Sequence, residues 1–413
     1  MRREFTGMNL DLLLANSGQD VSYMVREITH ICRDMKKRGP GSEGEREAAE
    51  YMAQVLQSEC GCEEVRVERF REHPGAFYGY FWFSAMFDVL SAIGFFIHPL
   101  IGVISGCIAL LLFIFQFVLY KQVIDPIFPK REGTNVTAVR PCTGEVRQRV
   151  FLNGHTDAAW EFPLNYRFGG VVFEIPGAVT LVGVLFYIAV GLLSWRGVAW
   201  AHTAAMWGLC FLPFFVAVGF TYNPWRVVDG ANDNLTGCYM GIALLRELER
   251  HGMSLEHTEV GAILTGSEEA GLRGAKAWCQ AHVQDYRDVP TYIISFDTIH
   301  DPKHLMVNAR DLNGTLKADK QLCEAFQQAA RDVGVPCKRG WVPPFGGATD
   351  SAAFTQGGFR SVGITGLNHR LEDYYHTRRD TWDNLNREGL ENCYRATLQM
   401  LHTIENKGLD QLV

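Results

Sequence analysis

Four stretches of this chain carry almost no charge, and they limit what it can fold into. Residues 77–97 hold one acid, Asp88, and residues 99–120, 175–193 and 198–219 hold none. The hydrocarbon core of a bilayer needs about 20 apolar residues of helix. Core helices of soluble proteins seldom run that long without a charged face. The four stretches therefore read as transmembrane helices rather than buried core. They pair as two hairpins, with turns at His98-Pro99 and at residues 194–197. Tyr78, Trp82, Tyr120, Trp195, Trp200, Tyr222 and Trp225 lie near their ends, as an aromatic belt at the membrane interface does.

Basic residues set the expected orientation. Arg66, Arg69 and Arg71 precede the first helix, and Lys121, Lys130 and Arg131 follow the second. Arg167 precedes the third and Arg226 follows the fourth, whereas the two opposite turns contain only Arg196. The positive-inside rule then puts the polar bulk of the chain and both termini in the cytoplasm. The 11 cysteines are an odd, scattered set without a CxxC pair, which suits a reducing compartment. The first 20 residues have too short an apolar run for a signal peptide. A net charge of -7 offers no basic face, so nucleic acid is not an expected partner. The expected partners are a peptide or amide substrate, the lipid bilayer and, through the small residues Gly102, Ser105 and Gly106, a second copy of the chain in a homo-oligomer. Asp88 sits in mid-helix. Such an acid is either functional or neutralised, by His98 or His202 across the bundle or by a shallow position near the interface.

With the hairpins set aside, the remaining chain alternates strands and helices. Residues 45–57, 234–251, 320–333 and 386–405 have helical periodicity, the first behind a capping box of Ser42 and Glu45. Residues 64–70, 135–140, 149–153, 260–265 and 292–296 read as strands. The expected fold class is α/β: a mixed, largely parallel central sheet flanked by helices, with four transmembrane helices inserted as two hairpins. The expected catalytic domain comprises residues 1–75, 121–174 and 220–413. Hairpin 1 is residues 76–120 and hairpin 2 residues 175–219.

Acids and histidines recur where these strands end. His155 and Asp157 follow the strand RVFLN, and two residues apart on an extended chain they share a face. A carboxylate there can take the second ring N–H of a metal-bound histidine. Asp233 sits in the turn DGANDNLTG, Asp297 ends TYIISFD, and His376 lies in the loop DYYHTRRDTWDN. Glu268 and Glu269 follow VGAILTG side by side, a repulsive arrangement unless alternation at the strand end gives them separate tasks. Open α/β sheets bind ligands at this edge. An oxygen- and imidazole-rich set without cysteine suits two divalent ions, zinc foremost. A pair of ions about 3.5–4 Å apart needs a bridging carboxylate and a shared water, and one further carboxylate to take that water's proton.

The ordered set resembles the M28 family of co-catalytic zinc aminopeptidases. The resemblance rests on "RGPGSEGEREAAEYM" (38–52), "NGHTD" (153–157), "GANDNLTG" (230–237), "TGSEEAGLRGA" (265–275), "SFD" (295–297), "GGATDSAAFTQGGFRSVGIT" (346–365) and "YHTRRDTWDNL" (375–385). It implies two zinc ions and a zinc aminopeptidase-like fold. It gives His155 and Asp297 to one ion, Glu269 and His376 to the other, and Asp233 to both. Glu268 is then the general base, Asp157 the partner of His155, and Asp350 a nearby residue without a metal. The implied reaction is hydrolysis of a peptide bond, of aminopeptidase type. The alternatives are an amide hydrolase acting on N-acyl amino acids, a glutaminyl-cyclase-like enzyme with one zinc, a catalytically inactive membrane scaffold and, on thin support, a transporter. The chain departs from the family pattern in its two hairpins. The second lies between His155 and Asp233, which would tether the centre to the membrane surface and favour hydrophobic or membrane-associated substrates.

Overall fold

The computed structural model describes residues 6–344, 346–368 and 372–409. The basic start of the chain, residues 1–5, lies outside them. The chain opens with α1 (Leu10–Asp34) and α2 (Glu43–Glu59), followed by β1 (Glu64–Glu72). The first hairpin is α3 (Gly75–Ile97) and α4 (Pro99–Leu112), the latter prolonged by a π-helical turn, Phe113–Val118. β2 (Arg131–Arg140), β3 (Gln148–His155), β4 (Trp160–Glu161) and α5 (Pro163–Phe168) lead to the second hairpin. That hairpin is α6 (Gly170–Trp195), α7 (Trp200–Gly208) and α8 (Leu212–Val218). β5 (Asn223–Val227), α9 (Thr236–Arg250), β6 (Thr258–Thr265), α10 (Arg273–His282) and β7 (Thr291–Ile299) follow. The chain ends with β8 (Met306–Asp311), β9 (Leu316–Lys317), α11 (Lys320–Asp332), β10 (Lys338–Trp341), α12 (Asp350–Gln356), β11 (Arg360–Gly366) and α13 (Arg387–Lys407).

One mixed sheet runs in the order β1-β2-β6-β3-β7-β11-β8-β10, with β9 paired to β8. The central strands β6, β3, β7 and β11 are mutually parallel, and antiparallel pairs flank them. Side chains alternate between two apolar layers, as the pleat requires. Val150, Leu152, Val260, Ala262, Tyr292 and Ile294 face the layer of α1, α2, α9 and α13. Phe151, Ile263 and Ile293 face Trp278 of α10 and Phe354 of α12.

The expected elements are all present, and most extend a residue or a few beyond their expected bounds. Several others escaped the periodicity. The inner face of α1 buries Ser17 and Asp20 among its apolar residues, and β8 buries Asn308 and Asp311, so neither reads as a clean hydrophobic pattern. The capping box forms only in half. Ser42 Oγ accepts from the Glu45 amide, but the Glu45 carboxylate turns away and accepts from the Gly41 and Thr134 amides. Burial is stronger than local capping here, because Glu45 is enclosed between α2 and the sheet.

Topology dictates where both hairpins emerge. β1 and β6 each pair antiparallel to β2, so they point the same way. The C-terminal end of β1 therefore lies at the same edge as the ends of β6, β3 and β7. Hairpin 1 leaves from that end and returns to the start of β2. Hairpin 2 leaves after β3 and returns before α9. Both thus rise from the edge where ligands bind open α/β sheets.

The hairpins include four helical spans, Gly75–Ile97, Pro99–Val118, Gly170–Trp195 and Trp200–Val218, long and apolar enough to cross a membrane. Met86, Leu90, Ile93 and Ile97 form an exposed apolar stripe along α3. The small residues expected to receive a second copy are instead used inside the bundle. Ser91 Oγ donates to the Gly102 carbonyl at 2.8 Å, and a Cβ on Gly106 would meet Ile188 of α6 at 2.9 Å. Asp88 also finds neither histidine expected of it: its hydrogen-bond partner is Ser84, at 3.2 Å. His98 caps α4, and His202 packs on Phe95 and Phe96.

The return of hairpin 1 is fastened by a buried fork. Arg273, at the start of α10, donates to both oxygens of Asp125 at 2.5 and 2.8 Å. Removing one partner of such a pair strands the other charge, at about 3 kcal/mol or more. Arg273→Met is expected to destabilise the protein by roughly that amount, read as a lower denaturation midpoint in detergent. An unchanged midpoint would show that hairpin 1 is held elsewhere.

Candidate metal centre

The expected site residues converge at the C-terminal edge of the sheet. His155 ends β3 and is buried, with Nε2 3.2 Å from Asp233 Oδ1. The other oxygen of Asp233 lies 3.2 Å from Nε2 of His376, and Glu269 Oε1 lies 3.1 Å from the same nitrogen. Asp233 thus stands between the two histidines, one oxygen toward each. Donor atoms of His155, Asp233 and Glu269 fall within 4.8 Å of one another, as do those of His155, Glu268 and Asp297.

Close packing brings these loops together. A Cβ on Gly154 would meet the Cys238 amide nitrogen at 2.3 Å, and one on Gly237 would meet the Phe296 carbonyl at 2.6 Å. Glycine at both places lets the start of α9 sit on β3 and β7, which carries Asp233 to His155 and Asp297. The buried Arg38 ties the same loops: its guanidinium donates to the carbonyls of Thr156 and Gly230, both at 2.8 Å.

The paired glutamates do not continue a strand. β6 stops at Thr265, Ser267 takes a left-handed φ of 54°, and the Gly271 and Leu272 amides close a turn on the Glu268 carbonyl. Strand alternation therefore does not separate the two side chains. Both face the centre, and their backbone amides point backwards to Asp157. Glu268 N–H donates to Asp157 Oδ1 and Glu269 N–H to Oδ2, each at 3.0 Å. Asp157 also lies 3.3 Å from Nδ1 of His155, the position expected of a residue that orients the ring. Thr298 and His376 have φ of 51° as well. Strained, left-handed backbone next to Glu268, Asp297 and His376 is typical of sites held by their surroundings.

Sequence reasoning missed several supporting groups. Asp380 is fully buried and accepts from the Asn232 amide, the Asn232 side chain and the Asp233 amide at 2.8, 2.9 and 3.1 Å. Its place four residues after His376 in a polar loop was the available signal. Ser267 joins two further buried acids, its Oγ lying 2.9 Å from Glu45 and 2.5 Å from Glu72. Asp350 accepts from the Thr265 hydroxyl. An aromatic cage surrounds His376: Tyr375 stacks at 4.0 Å, Phe162 lies at 4.6 Å, and the Tyr78 hydroxyl is 3.5 Å from Nδ1.

The electrostatics call for cations. Burial lifts Glu268 well above the usual carboxylate range, and the neighbouring Asp297 and Glu269 add to it against the pull of His155. Burial, with Asp233 nearby, raises Asp297 to about 8. Asp233 moves the other way: the two histidines beside it outweigh its burial and hold it low. His376 rises to about 10, because Glu269 and Asp233 outweigh its burial. Both nitrogens of His155 and Oε1 of Glu269 are buried without a hydrogen bond. Such donors, close together, mostly oxygen and imidazole, and short of positive charge, fit divalent ions.

Fold and site together define a metallopeptidase. Residues 217–401 match the model of Peptidase family M28, which supports a zinc metallopeptidase, as the motifs implied. No curated protein matches the sequence. Among solved structures the chain is similar to the zinc aminopeptidase BSAP of Bacillus subtilis, at 12% identity and a TM-score of 0.56, covering 94% of this chain and 96% of that one. The LapA aminopeptidase of Legionella pneumophila is similar at 12% identity and a TM-score of 0.55, covering 98% and 77%. A glutaminyl cyclase of Bacteroides thetaiotaomicron is similar at 12% identity and a TM-score of 0.54, covering 97% and 99%. At these identities the likeness is one of fold.

Asp380 tests how far the supporting shell matters. Asp380→Ala leaves three donors unpaired around Asp233, and losses of this kind typically weaken metal binding about 10–100-fold. Zinc titration against a chelator is expected to read that loss, and undiminished affinity would remove Asp380 from the site.

Proposed function

We propose that the chain is a membrane-embedded hydrolase of aminopeptidase type that uses two zinc ions. The observation that carries this reading is Asp233, with one oxygen 3.2 Å from each histidine. That placement supports a shared ligand, with His155 and Asp297 on one ion and Glu269 and His376 on the other. Bound there, the ions would acidify a shared water and polarise the scissile carbonyl.

The remaining steps belong to the chain. Glu268 lines the cavity beside the centre. It takes a proton from the water as oxygen adds to the carbonyl carbon, and returns it to the nitrogen as the C–N bond breaks. Asp157 holds the Glu268–Glu269 turn and the His155 ring in register. A cyclase-like enzyme would need one ion and a scaffold none, so a metal count by elemental analysis separates the readings, and two ions per chain are expected. Glu268→Gln is expected to keep both ions and lose about 10²–10⁴-fold in turnover of peptide substrates. Full activity in that variant would end the general-base assignment.

The hairpins, residues 76–120 and 175–219, span the bilayer in this reading. Residues 1–75, 121–174 and 220–413 form the catalytic domain on the cytoplasmic side. The excess of Lys and Arg at the domain ends of the helices supports that orientation. A cysteine replacing Trp225, 90% exposed at the domain end, is expected to react with an impermeant maleimide only after cells are opened. One replacing Gly197, at the opposite turn, is expected to react on intact cells. The reverse pattern would invert the topology.

A further inference from the structure

The acidic mouth of the centre is one end of a larger cavity. It has a volume of about 580 Å³, bounded at one end by Glu268, Glu269, Asp297 and His376 and at the other by both apolar hairpins. One face of α3 traces its course. Tyr78, Phe81, Ser84 and Asp88 line it in turn, and spacings of three and four residues keep them on one side of a helix. Tyr78 stands beside His376, with 3.5 Å from hydroxyl to Nδ1. Asp88 follows about 15 Å further on, at the helical rise of ~1.5 Å per residue. α4 contributes Leu110, the π-helical turn that prolongs it Phe113, and α6 Leu181 and Val184.

This wall has little to offer a peptide. The backbone groups of the helices are spent within them, so a peptide threaded along the cavity would bury amides without partners. A hydrocarbon chain has no such groups and gains roughly fourfold in binding for each methylene buried. The far end differs. One Asp88 oxygen accepts from Ser84, and the other has no partner, nor has the Thr180 hydroxyl. Both residues line the cavity and are buried, at 1% and 7% exposure.

We infer that the cavity receives a single long apolar chain attached next to the scissile amide, and that Asp88 sets the greatest length it accepts. The inference rests on the hydrolase reading and gives it a substrate class. A chain of about a dozen carbons, with bonds of ~1.5 Å bent tetrahedrally, spans the distance from the centre to Asp88. A longer one presses methylenes against an unpaired carboxylate, which is unfavourable in a water-poor site. Two kinds of amide supply this chemistry: an N-acyl amino acid with a fatty acyl group, or a peptide whose first residue carries a long alkyl side chain.

The test uses the full chain with zinc in phosphatidylcholine vesicles and two substrate series. One is N-acylglycines from acetyl to stearoyl. The other is X-glycine dipeptides in which X is a 2-aminoalkanoic acid of growing length. In one series kcat/KM is expected to rise at least about tenfold from the shortest member to about a dozen carbons and then fall, which also identifies the source. Asp88→Leu is expected to move the fall to longer chains, and Asp88→Asn, which keeps size and polarity, to leave it in place. A photoreactive diazirine at the end of a matching acyl chain is expected to label α3 near Ser84 and Asp88, independently of turnover. Turnover that ignores chain length in both series, with Glu268→Gln inactive, would overturn this inference and leave the hydrolase intact. Labelling of α3 without turnover of any member would overturn the hydrolase and keep the chain-binding site. Neither labelling nor turnover would overturn both.

Discussion

The centre depends on a single carboxylate, that of Asp157. It is wholly buried, yet it accepts the Glu268 and Glu269 amides and lies beside Nδ1 of His155. A buried anion is tolerated when oriented N–H groups surround it. Here those groups belong to the turn that must be aimed, so satisfying Asp157 and positioning the glutamates are the same event. Asp380 does for the Asp233 loop what Asp157 does for the glutamate turn. The arrangement accumulates acids faster than it supplies bases. Arg38, a buried cation of this region, is committed to two carbonyls. Divalent cations answer the remaining imbalance, whereas protonating the acids would disarm them.

Much of the site was legible in the sequence because its members fall where strands stop. His155 ends β3, the two glutamates follow β6, and Asp297 lies in β7. Strand ends are marked by short apolar runs, which a single sequence displays well. The geometry of the glutamate turn was not legible. Alternation along a strand predicts opposed side chains, but the left-handed Ser267 ends the strand first. Asp380, Glu45 and Glu72 were hidden for a related reason. Their partners are backbone amides and hydroxyls on remote segments, and such contacts leave no periodic trace. Among the elements, α1 and β8 were obscured by polar residues on their buried faces. α2 was legible, although its capping box lost Glu45 to the sheet.

The hairpins show how insertion and catalysis share one edge. Loops at the C-terminal ends of parallel strands vary freely because the sheet does not depend on them, and they carry function for the same reason. Both hairpins occupy loops at that edge. A helix that grows out of the active edge supplies wall to whatever binds there, and Tyr78, Phe81 and Phe173 do so here. Hairpins at the opposite edge would have left the centre without these walls.

His376 is where that shared edge becomes a constraint. Its ring is held between Tyr375 and Phe162, and Phe162 stacks on Phe173 of α6 at 4.6 Å. On the other side Tyr78 of α3 reaches Nδ1, and Tyr78 packs against Phe81, Tyr222 and Trp160. One continuous run of rings therefore joins both hairpins to the imidazole. Packed aromatic contacts shift as discrete rearrangements rather than by smooth deformation. The polar domain taken alone would lose Tyr78, and with it one side of the cage around His376. The bundle thus completes the setting of a residue in the proposed ion-binding set.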